Sequence, residues 1–210
     1  MDAGLLAVKR LDTAKSRLSP RFGDDERLLI ATALFEDALA LCASTTHLKW
    51  WVVSDDEGVI ERALHAGLET MRDEGTGLND AVLTAARALS GLGASSVTVL
   101  PSDIPRATAE DLLDISDTGE VSDVVVVPSE GDGGTNALYL GPPEVIAPRF
   151  GAGSLVQHVR AAEAARLRCS VLPLERLELD LDTPEDIDRF LETDPGSASQ
   201  TAALLRRLTA

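Results

Sequence analysis

One stretch of sequence decides the fold: Ser96-Val97-Thr98-Val99-Leu100-Pro101-Ser102-Asp103-Ile104-Pro105. It begins as a continuous apolar run rich in β-branched residues, which is typical of a strand buried on both faces. The run then breaks at a proline and brings a carboxylate, Asp103, just past the end of the strand. Ligands of open α/β sheets bind beyond the carboxyl ends of the strands, so the residues that follow each strand are the first candidates for chemistry.

Outward from this stretch, apolar strands and helical patterns alternate. Strands are predicted at residues 4–8, 50–54, 96–100, 124–127, 136–140 and 169–172, and helices at 24–42, 59–66, 78–92 and 154–167. A further extended stretch at 177–181 precedes a short helix that starts at Thr183-Pro184, where threonine can cap and proline fits the first turn. The alternation predicts an α/β fold: one Rossmann-like domain with a mixed, mainly parallel sheet and helices on both faces.

The sheet is expected to become mixed after residue 128, because the strand at 136–140 follows without an intervening helix. We place the domain at residues 1–193. Residues 194–210 form a Ser/Ala/Gly-rich and then weakly amphipathic tail, predicted as either an extra helix or a frayed end.

Composition excludes several classes of protein. The chain has 210 residues, of which 44% are hydrophobic, and this is enough for a sizeable core and argues against disorder. With 19 Lys and Arg against 35 Asp and Glu, the formal charge of −16 argues against nucleic acid or an anionic membrane as a partner.

The apolar stretch at the amino terminus is shorter than the apolar region of a signal peptide, so a cytoplasmic protein is expected. Cys42 and Cys169 are isolated, which argues against a zinc site or a disulfide framework. A homo-oligomer is left open.

A basic loop follows the first strand, against the acidic trend of the chain. It contains Lys9, Arg10, Lys15 and Arg17. Such a loop can hold triphosphate oxygens through charge-assisted hydrogen bonds, or it can be a solvated loop that balances nearby carboxylates. The stretch contains neither a Walker loop nor a G-x-G-x-x-G dinucleotide fingerprint.

Three carboxylates form the second candidate site. Asp103 follows the third predicted strand, and extended geometry sends Asp180 and Asp182 to one face of their segment. Each alone is more often a turn or cap residue. Together they could hold magnesium, because two carboxylates that close repel unless a cation or proton lies between them.

Glycine turns supply the remaining candidates. Gly77-Leu78-Asn79 leads into a helix, where it could face a nucleotide, although helix capping by Asn79 explains the same residues. Thr135, Gly151 and Ser154 supply two hydroxyls, close backbone approach and a helix start that offers N–H donors, which together suit a small phosphorylated acid. His158 lies one helical turn beyond Ser154 and either faces the same pocket or is structural.

The order of these segments resembles the guanylyltransferases of deazaflavin coenzyme F-420 biosynthesis, of the phosphoenolpyruvate and 2-phospho-L-lactate type. The resemblance extends from Leu5 to about Leu191. The segments that carry it are Ala14-Lys15-Ser16-Arg17-Leu18, Gly77-Leu78-Asn79, Asp103-Ile104-Pro105, Gly134-Thr135-Asn136-Ala137-Leu138, Phe150-Gly151-Ala152-Gly153-Ser154 and Asp180-Leu181-Asp182-Thr183-Pro184. The Ser/Ala-rich end after Asp194 has no counterpart that we can connect to the function of the family.

The resemblance implies a GT-A-related nucleotidyltransferase that transfers GMP from GTP to the phosphate of a three-carbon acid and releases pyrophosphate. Three sets of residues carry over. Thr135, Gly151 and Ser154 match positions that bind the acid, and Asp103, Asp180 and Asp182 match carboxylates that hold magnesium, expected as two ions. Lys9, Arg10, Lys15, Arg17, Gly77 and Asn79 match the GTP side, and no protein nucleophile is expected.

The sequence leaves several interpretations of the acceptor and of the function open. The acceptor is expected to be phosphoenolpyruvate, with 2-phospho-L-lactate and 3-phosphoglycerate as alternatives that differ only in small features of the pocket. A nucleotidyltransferase for molybdenum cofactor or sugar nucleotides usually has a glycine-rich loop after the first strand, and Val8-Lys9-Arg10-Leu11 is not one. A nucleotide-binding protein without catalysis is the alternative of another class.

Overall fold

A computed structural model describes residues 1–74, 77–131 and 133–210 of the chain. These residues form a seven-stranded sheet with the strand order β3-β2-β1-β4-β6-β5-β7. Strand β6 runs antiparallel to both of its neighbours, whereas the other paired strands are parallel. The predicted mixed, mainly parallel sheet is therefore confirmed.

The strands are β1 (Asp2–Ala7), β2 (Lys49–Ser54), β3 (Glu69–Arg72), β4 (Ser96–Leu100), β5 (Val124–Pro128), β6 (Thr135–Leu140) and β7 (Cys169–Val171). The α-helices are α1 (Asp24–Ser44), α2 (Glu57–His65), α3 (Leu78–Gly91), α4 (Ala109–Gly119), α5 (Ser154–Ala164), α6 (Pro184–Thr193) and α7 (Gln200–Thr209). Short 3-10 helices lie at Leu11–Thr13, Ser16–Leu18 and Glu175–Leu177.

Both faces of the sheet are covered by helices, as the continuous apolar strands predict. Helices α1, α2 and α4 pack on one face, and α3 and α5 pack on the other. The neighbouring residues Trp50 and Trp51 point to opposite faces and are buried in the two separate cores. Both tryptophans are therefore core residues of β2.

A third apolar cluster joins α6 and α7 to the outer side of α1. Phe190 and Leu205 are fully buried there, packed with Leu34 of α1. The carboxylate of Asp37 accepts hydrogen bonds from the backbone N–H groups of Gln200 (2.9 Å) and Thr201 (2.8 Å) at the start of α7. The segment beyond residue 194 thus contains a helix that is tied to α1 by apolar packing and by a cap.

Three segments differ from the sequence prediction, and the first is α4, for which no helix bounds were predicted. Strand β3 was not expected: it is a four-residue edge strand whose side chains are half-buried or exposed, so its apolar pattern is weak. The stretch at 177–181, predicted as extended, does not begin as extended backbone, since Leu177 lies in a 3-10 helix and Glu178 has a φ of −70° and a ψ of −27°. It leaves a 3-10 helix at Glu175–Leu177 and reaches α6 as irregular backbone, because its hydrogen bonds go to loops and side chains.

Within the described residues, no helix has both the length and the apolar character that crossing a membrane requires.

Candidate active site

A cavity of about 390 Å³ opens at the carboxyl ends of β1 and β4. These strands are neighbours at the point where the strand order reverses, since β1 pairs with β2 on one side and with β4 on the other. Such a reversal leaves a crevice where α/β sheets bind their ligands. The wall of the cavity includes Lys15 from the loop after β1, Asp103 from the loop after β4, Leu78 of α3, Phe150 and Asp182.

The three predicted carboxylates meet at this wall. Each of Asp103, Asp180 and Asp182 places one carboxylate oxygen within 4.8 Å of the others. The backbone explains the convergence, because the N–H of Leu181 donates to the carbonyl oxygen of Asp103 at 3.0 Å. Leu181 is fully buried, so its two neighbours in the chain are held beside the loop that follows β4.

Helix α6 fixes the backbone of Asp182. The carboxylate of Asp186 accepts hydrogen bonds from the N–H groups of Asp182 (3.1 Å) and Thr183 (2.7 Å). The Thr183 hydroxyl in turn accepts from the N–H of Asp186, which completes a capping box with Pro184 in the first turn. The predicted helix start is confirmed, and it also anchors one of the three carboxylates.

Asn136 anchors the same segment from the other side, and its role was not predicted. Its buried side-chain amide donates to the carbonyl oxygens of Leu177 (2.7 Å) and Glu178 (3.3 Å). The N–H of Glu130 also donates to the Glu178 carbonyl, at 2.9 Å. A polar residue at a buried position of an apolar strand is the sequence signal that could have revealed this contact, since buried amides need partners.

The pKa values of Asp180 and Asp182 are shifted in opposite directions. Burial, followed by the nearby negative charges of Asp103 and Asp182, raises the pKa of Asp180 to about 6. Burial opposes ionisation of Asp182 too, but Lys15 and Arg17 hold its pKa below the usual value. Three converging carboxylates, one of them short of positive charge, fit a divalent metal ion such as Mg²⁺, which prefers oxygen ligands.

The basic loop divides into two pairs. The ammonium of Lys15 donates to Asp103 (2.7 Å) and Asp182 (2.9 Å), and Arg17 donates to Asp182 at 3.3 Å. Arg10 instead makes an exposed ion pair with Asp12 at 2.7 Å. Lys9 is exposed and makes no ion pair within the described residues. Two of the four predicted cations therefore reach the carboxylates, and the other two stay at the rim of the cavity.

Asn79 joins two walls of the cavity and does not cap its helix. The N-cap of α3 is Gly77, whose φ of +109° favours glycine. The side chain of Asn79 instead accepts from the Phe150 N–H at 2.6 Å and donates to the Phe150 carbonyl at 3.1 Å. The alternative interpretation, helix capping by Asn79, is therefore wrong, because the amide of Asn79 is engaged by a loop from a distant part of the chain.

Thr135, Ser154 and His158 form a buried hydrogen-bonded cluster beside the Phe150 loop. The N–H of Arg149 donates to His158 Nε2 at 2.8 Å, so a neutral ring carries its proton on Nδ1, which lies 3.0 Å from Thr135 Oγ1. The Ser154 hydroxyl also donates to Thr135 Oγ1, at 3.0 Å. Burial, with a smaller contribution from Arg149, lowers the pKa of His158 to about 4. Thr135 Oγ1 thus accepts two hydrogen bonds, so its hydroxyl proton can be donated to another group.

The loop between Phe150 and Ser154 and the start of α5 offer fewer free N–H donors than the sequence predicts. The first N–H groups of α5 are already used: Ser154 donates to the Gly151 carbonyl (3.0 Å) and Leu155 to the Gly133 carbonyl (3.1 Å). Ser154 is also fully buried. Gly151 is exposed with a φ of +129°, a conformation that favours glycine. Of the three residues expected to bind the acid, Gly151 and the slightly exposed Thr135 are the ones that reach the surface.

Comparison with known proteins gives one family model that matches, described as "Guanylyl transferase CofC like", over residues 3–209. A phosphoenolpyruvate guanylyltransferase from Sphaerobacter thermophilus is 33% identical over 93% of this chain and 95% of its own length. A 2-phospho-L-lactate guanylyltransferase from Methanothermobacter thermautotrophicus is 32% identical over 97% and 89%. A 3-phospho-D-glycerate guanylyltransferase from Phenylobacterium zucineum is 34% identical over 89% and 88%.

A solved structure shares the fold. It is a Desulfovibrio desulfuricans G20 protein provisionally assigned as a nucleotide-diphospho-sugar transferase, with a TM-score of 0.84 and 23% identity over 98% of this chain and 94% of that one. The predicted nucleotidyltransferase fold is therefore confirmed.

Proposed function

The chain belongs to the CofC-like guanylyl transferase family, and from this premise we propose that it transfers GMP from GTP to phosphoenolpyruvate. The products would be enolpyruvyl-diphospho-guanosine and pyrophosphate, in the biosynthesis of coenzyme F-420 that the family resemblance implies. The observation that carries the proposal is the convergence of Asp103, Asp180 and Asp182, because Asp103 and Asp182 line the cavity at β1 and β4 together with Lys15.

The reaction needs no protein nucleophile. A phosphate oxygen of the acid attacks the α-phosphorus of GTP, and the bond from that phosphorus to the oxygen bridging to the β-phosphate breaks. Pyrophosphate leaves with the electron pair. A phosphate monoester with a second pKa of about 6 is already largely deprotonated near neutral pH, so no general base is required. The work left to the protein is to bring two anions together in line.

Asp103, Asp180 and Asp182 would hold magnesium, which we expect as two ions. Bound magnesium supplies charge neutralisation between the two phosphates and on the leaving pyrophosphate. The fit rests on the chemistry of the donors: three carboxylates within 4.8 Å of one another, two of which already share the ammonium of Lys15.

GTP would lie in the cavity against the basic loop. Lys9 and Arg10 are exposed at its rim, where the ion pair of Arg10 with Asp12 is open to solvent and exchanges at little cost. Lys15 and Arg17 would bind phosphate oxygens from the side of the carboxylates. Gly77 begins the α3 helix at this cavity, and Asn79 acts through the Phe150 backbone that it holds, because both atoms of its amide are engaged.

The acid would bind at Thr135, Gly151 and Ser154. The arrangement favours Thr135 as the hydroxyl donor to an anionic oxygen, since His158 and Ser154 both donate to it. Gly151 would allow close approach of the ligand to the backbone, and Ser154 would act through Thr135. We propose phosphoenolpyruvate as the acceptor, ahead of 2-phospho-L-lactate and 3-phosphoglycerate, because the Sphaerobacter thermophilus relative is named for it.

The test is pyrophosphate release by the purified chain with Mg²⁺, GTP and each of the three acids in turn. We expect the highest kcat/KM with phosphoenolpyruvate, and little release when ATP or CTP replaces GTP. A higher kcat/KM with either of the other acids would reassign the acceptor. Release with none of the acids from the folded protein would favour a nucleotide-binding protein without catalysis.

A further inference from the structure

Lys15 is held in an unusual position for a lysine. Its side chain is only 8% exposed, and its ammonium lies 2.7 Å from Asp103 and 2.9 Å from Asp182. Its backbone has a φ of +55° and a ψ of +35°, a left-handed conformation that is strained for a residue other than glycine. Such strain persists where the surrounding structure enforces it, and it often marks a functional residue.

The ammonium bonds to one oxygen of each of two carboxylates that a metal ion at the cluster would also use. A divalent cation at the cluster would bind the same carboxylates of Asp103 and Asp182, and an ammonium left beside it would add repulsion between like charges. Among the described residues, Asp180 makes no ion pair, so one carboxylate stands open while the other two are bridged. A metal ion bound there would therefore compete with Lys15 for Asp103 and Asp182.

We propose that Lys15 is an internal counter-ion of the carboxylate cluster, which a divalent cation displaces into the adjoining cavity. The inference rests on the proposed function in one respect, that the cluster binds a divalent metal. In the metal-free protein the ammonium holds Asp103 and Asp182 together. When the metal arrives, the flexible four-carbon stem lets the ammonium turn toward the space lined by Lys9 and Arg10. Metal binding would then release a cation to the place proposed for the nucleotide phosphates.

Substituting Lys15 by methionine tests the competition directly, because the side chain keeps similar bulk and loses its charge. Mn²⁺ is titrated into the full chain without nucleotide, and binding is followed by calorimetry and by the free Mn²⁺ signal in electron paramagnetic resonance. Lys15→Met is expected to bind Mn²⁺ about tenfold more tightly than wild type. Lys49→Met is the matched control: Lys49 lies at the amino end of β2, where it pairs with Glu69, and its loss should leave the affinity unchanged.

A second measurement uses the unaltered protein, in case Lys15→Met folds poorly. Acylation of the three lysines is followed by mass spectrometry with and without Mn²⁺, and Lys9 and Lys49 serve as internal references. Mn²⁺ is expected to speed the labelling of Lys15 several-fold relative to both references. Weaker or equal Mn²⁺ binding by Lys15→Met, or unchanged labelling of Lys15 when the metal is bound, would overturn the inference.

The same titration separates this inference from the proposed function. If wild type binds Mn²⁺ and releases pyrophosphate while Lys15→Met shows no gain in affinity, only the competition is wrong. If neither protein binds Mn²⁺, the metal site and the competition are both wrong. If the chain binds Mn²⁺ in competition with Lys15 but releases no pyrophosphate, the competition is supported and the proposed reaction is wrong.

Discussion

Leu181 donates its backbone N–H to the carbonyl oxygen of Asp103 at 3.0 Å. This bond joins the loop after β4 to the segment before α6, and Asp180 and Asp182 lie on either side of the residue that makes it. Since the Leu181 side chain is fully buried, the segment cannot shift outward without exposing apolar surface. Main-chain pairing and core packing therefore place the three carboxylates close together although they repel one another, and the Lys15 ammonium bridges two of them.

Asp182→Asn should abolish most of the proposed metal-dependent turnover while the fold is kept. We expect kcat for pyrophosphate release to fall by about 100-fold or more, because a neutral amide is a poor ligand and leaves the phosphate charges unscreened. The melting temperature should change little, since Asp182 is partly exposed, its pair with Arg17 is open to solvent, and the buried Lys15 keeps its ion pair with Asp103.

Asp188→Asn is the control for this variant. Asp188 pairs with Arg21 on the surface of α6 and should tolerate the change. Full activity of Asp182→Asn would contradict the assignment of this carboxylate to metal binding.

The sequence predicts the sheet well because the apolar pattern of a strand is local. β4 and β5 are recognisable from runs of β-branched residues, and the start of α6 from Thr183-Pro184. The contacts within the site are not local. The same amide chemistry can cap a helix or hold a distant loop, and only tertiary structure decides that Asn79 does the second. An edge strand such as β3 is also hard to predict from sequence, because few of its side chains are buried and its apolar pattern is weak.

Asn136→Ala should destabilise the protein and loosen the carboxylate cluster. The change removes a buried donor from the Leu177 and Glu178 carbonyls, and the free energy of unfolding should fall by about 2 kcal/mol. Urea unfolding measures the loss. Gln157→Ala removes an exposed amide from α5 and should cost less than about 0.5 kcal/mol. Equal losses in the two variants would contradict an anchoring role for Asn136.

His158 should make the stability of the protein depend on pH. Burial lowers its pKa to about 4 in the folded state, whereas an unfolded histidine titrates near 6.5. The unfolded chain therefore binds the extra proton first as pH falls. The stabilisation is complete above about pH 6.5 and is lost as pH approaches 4, by about 3 kcal/mol in all.

The comparison that isolates this effect is between wild type and His158→Gln, with urea unfolding measured at several pH values. The advantage of wild type over the variant should shrink by about 3 kcal/mol between pH 7 and pH 4. His65→Gln, at an exposed position of α2, should show no such change in its difference from wild type. A constant difference between wild type and His158→Gln across this range would show that the ring is not held neutral.

Leu205→Ala tests whether the segment beyond residue 194 is part of the folded unit. Leu205 of α7 is fully buried against the cluster formed with Phe190, so its truncation should lower the free energy of unfolding by about 3 kcal/mol. Leu92→Ala removes the same atoms from a side chain that is 65% exposed, and it should cost less than about 0.5 kcal/mol. If α7 were an appendage that frays independently, Leu205→Ala would unfold in urea with the same midpoint as Leu92→Ala. A single transition shifted to lower urea only for Leu205→Ala would instead mean that α7 unfolds together with the sheet, through α1.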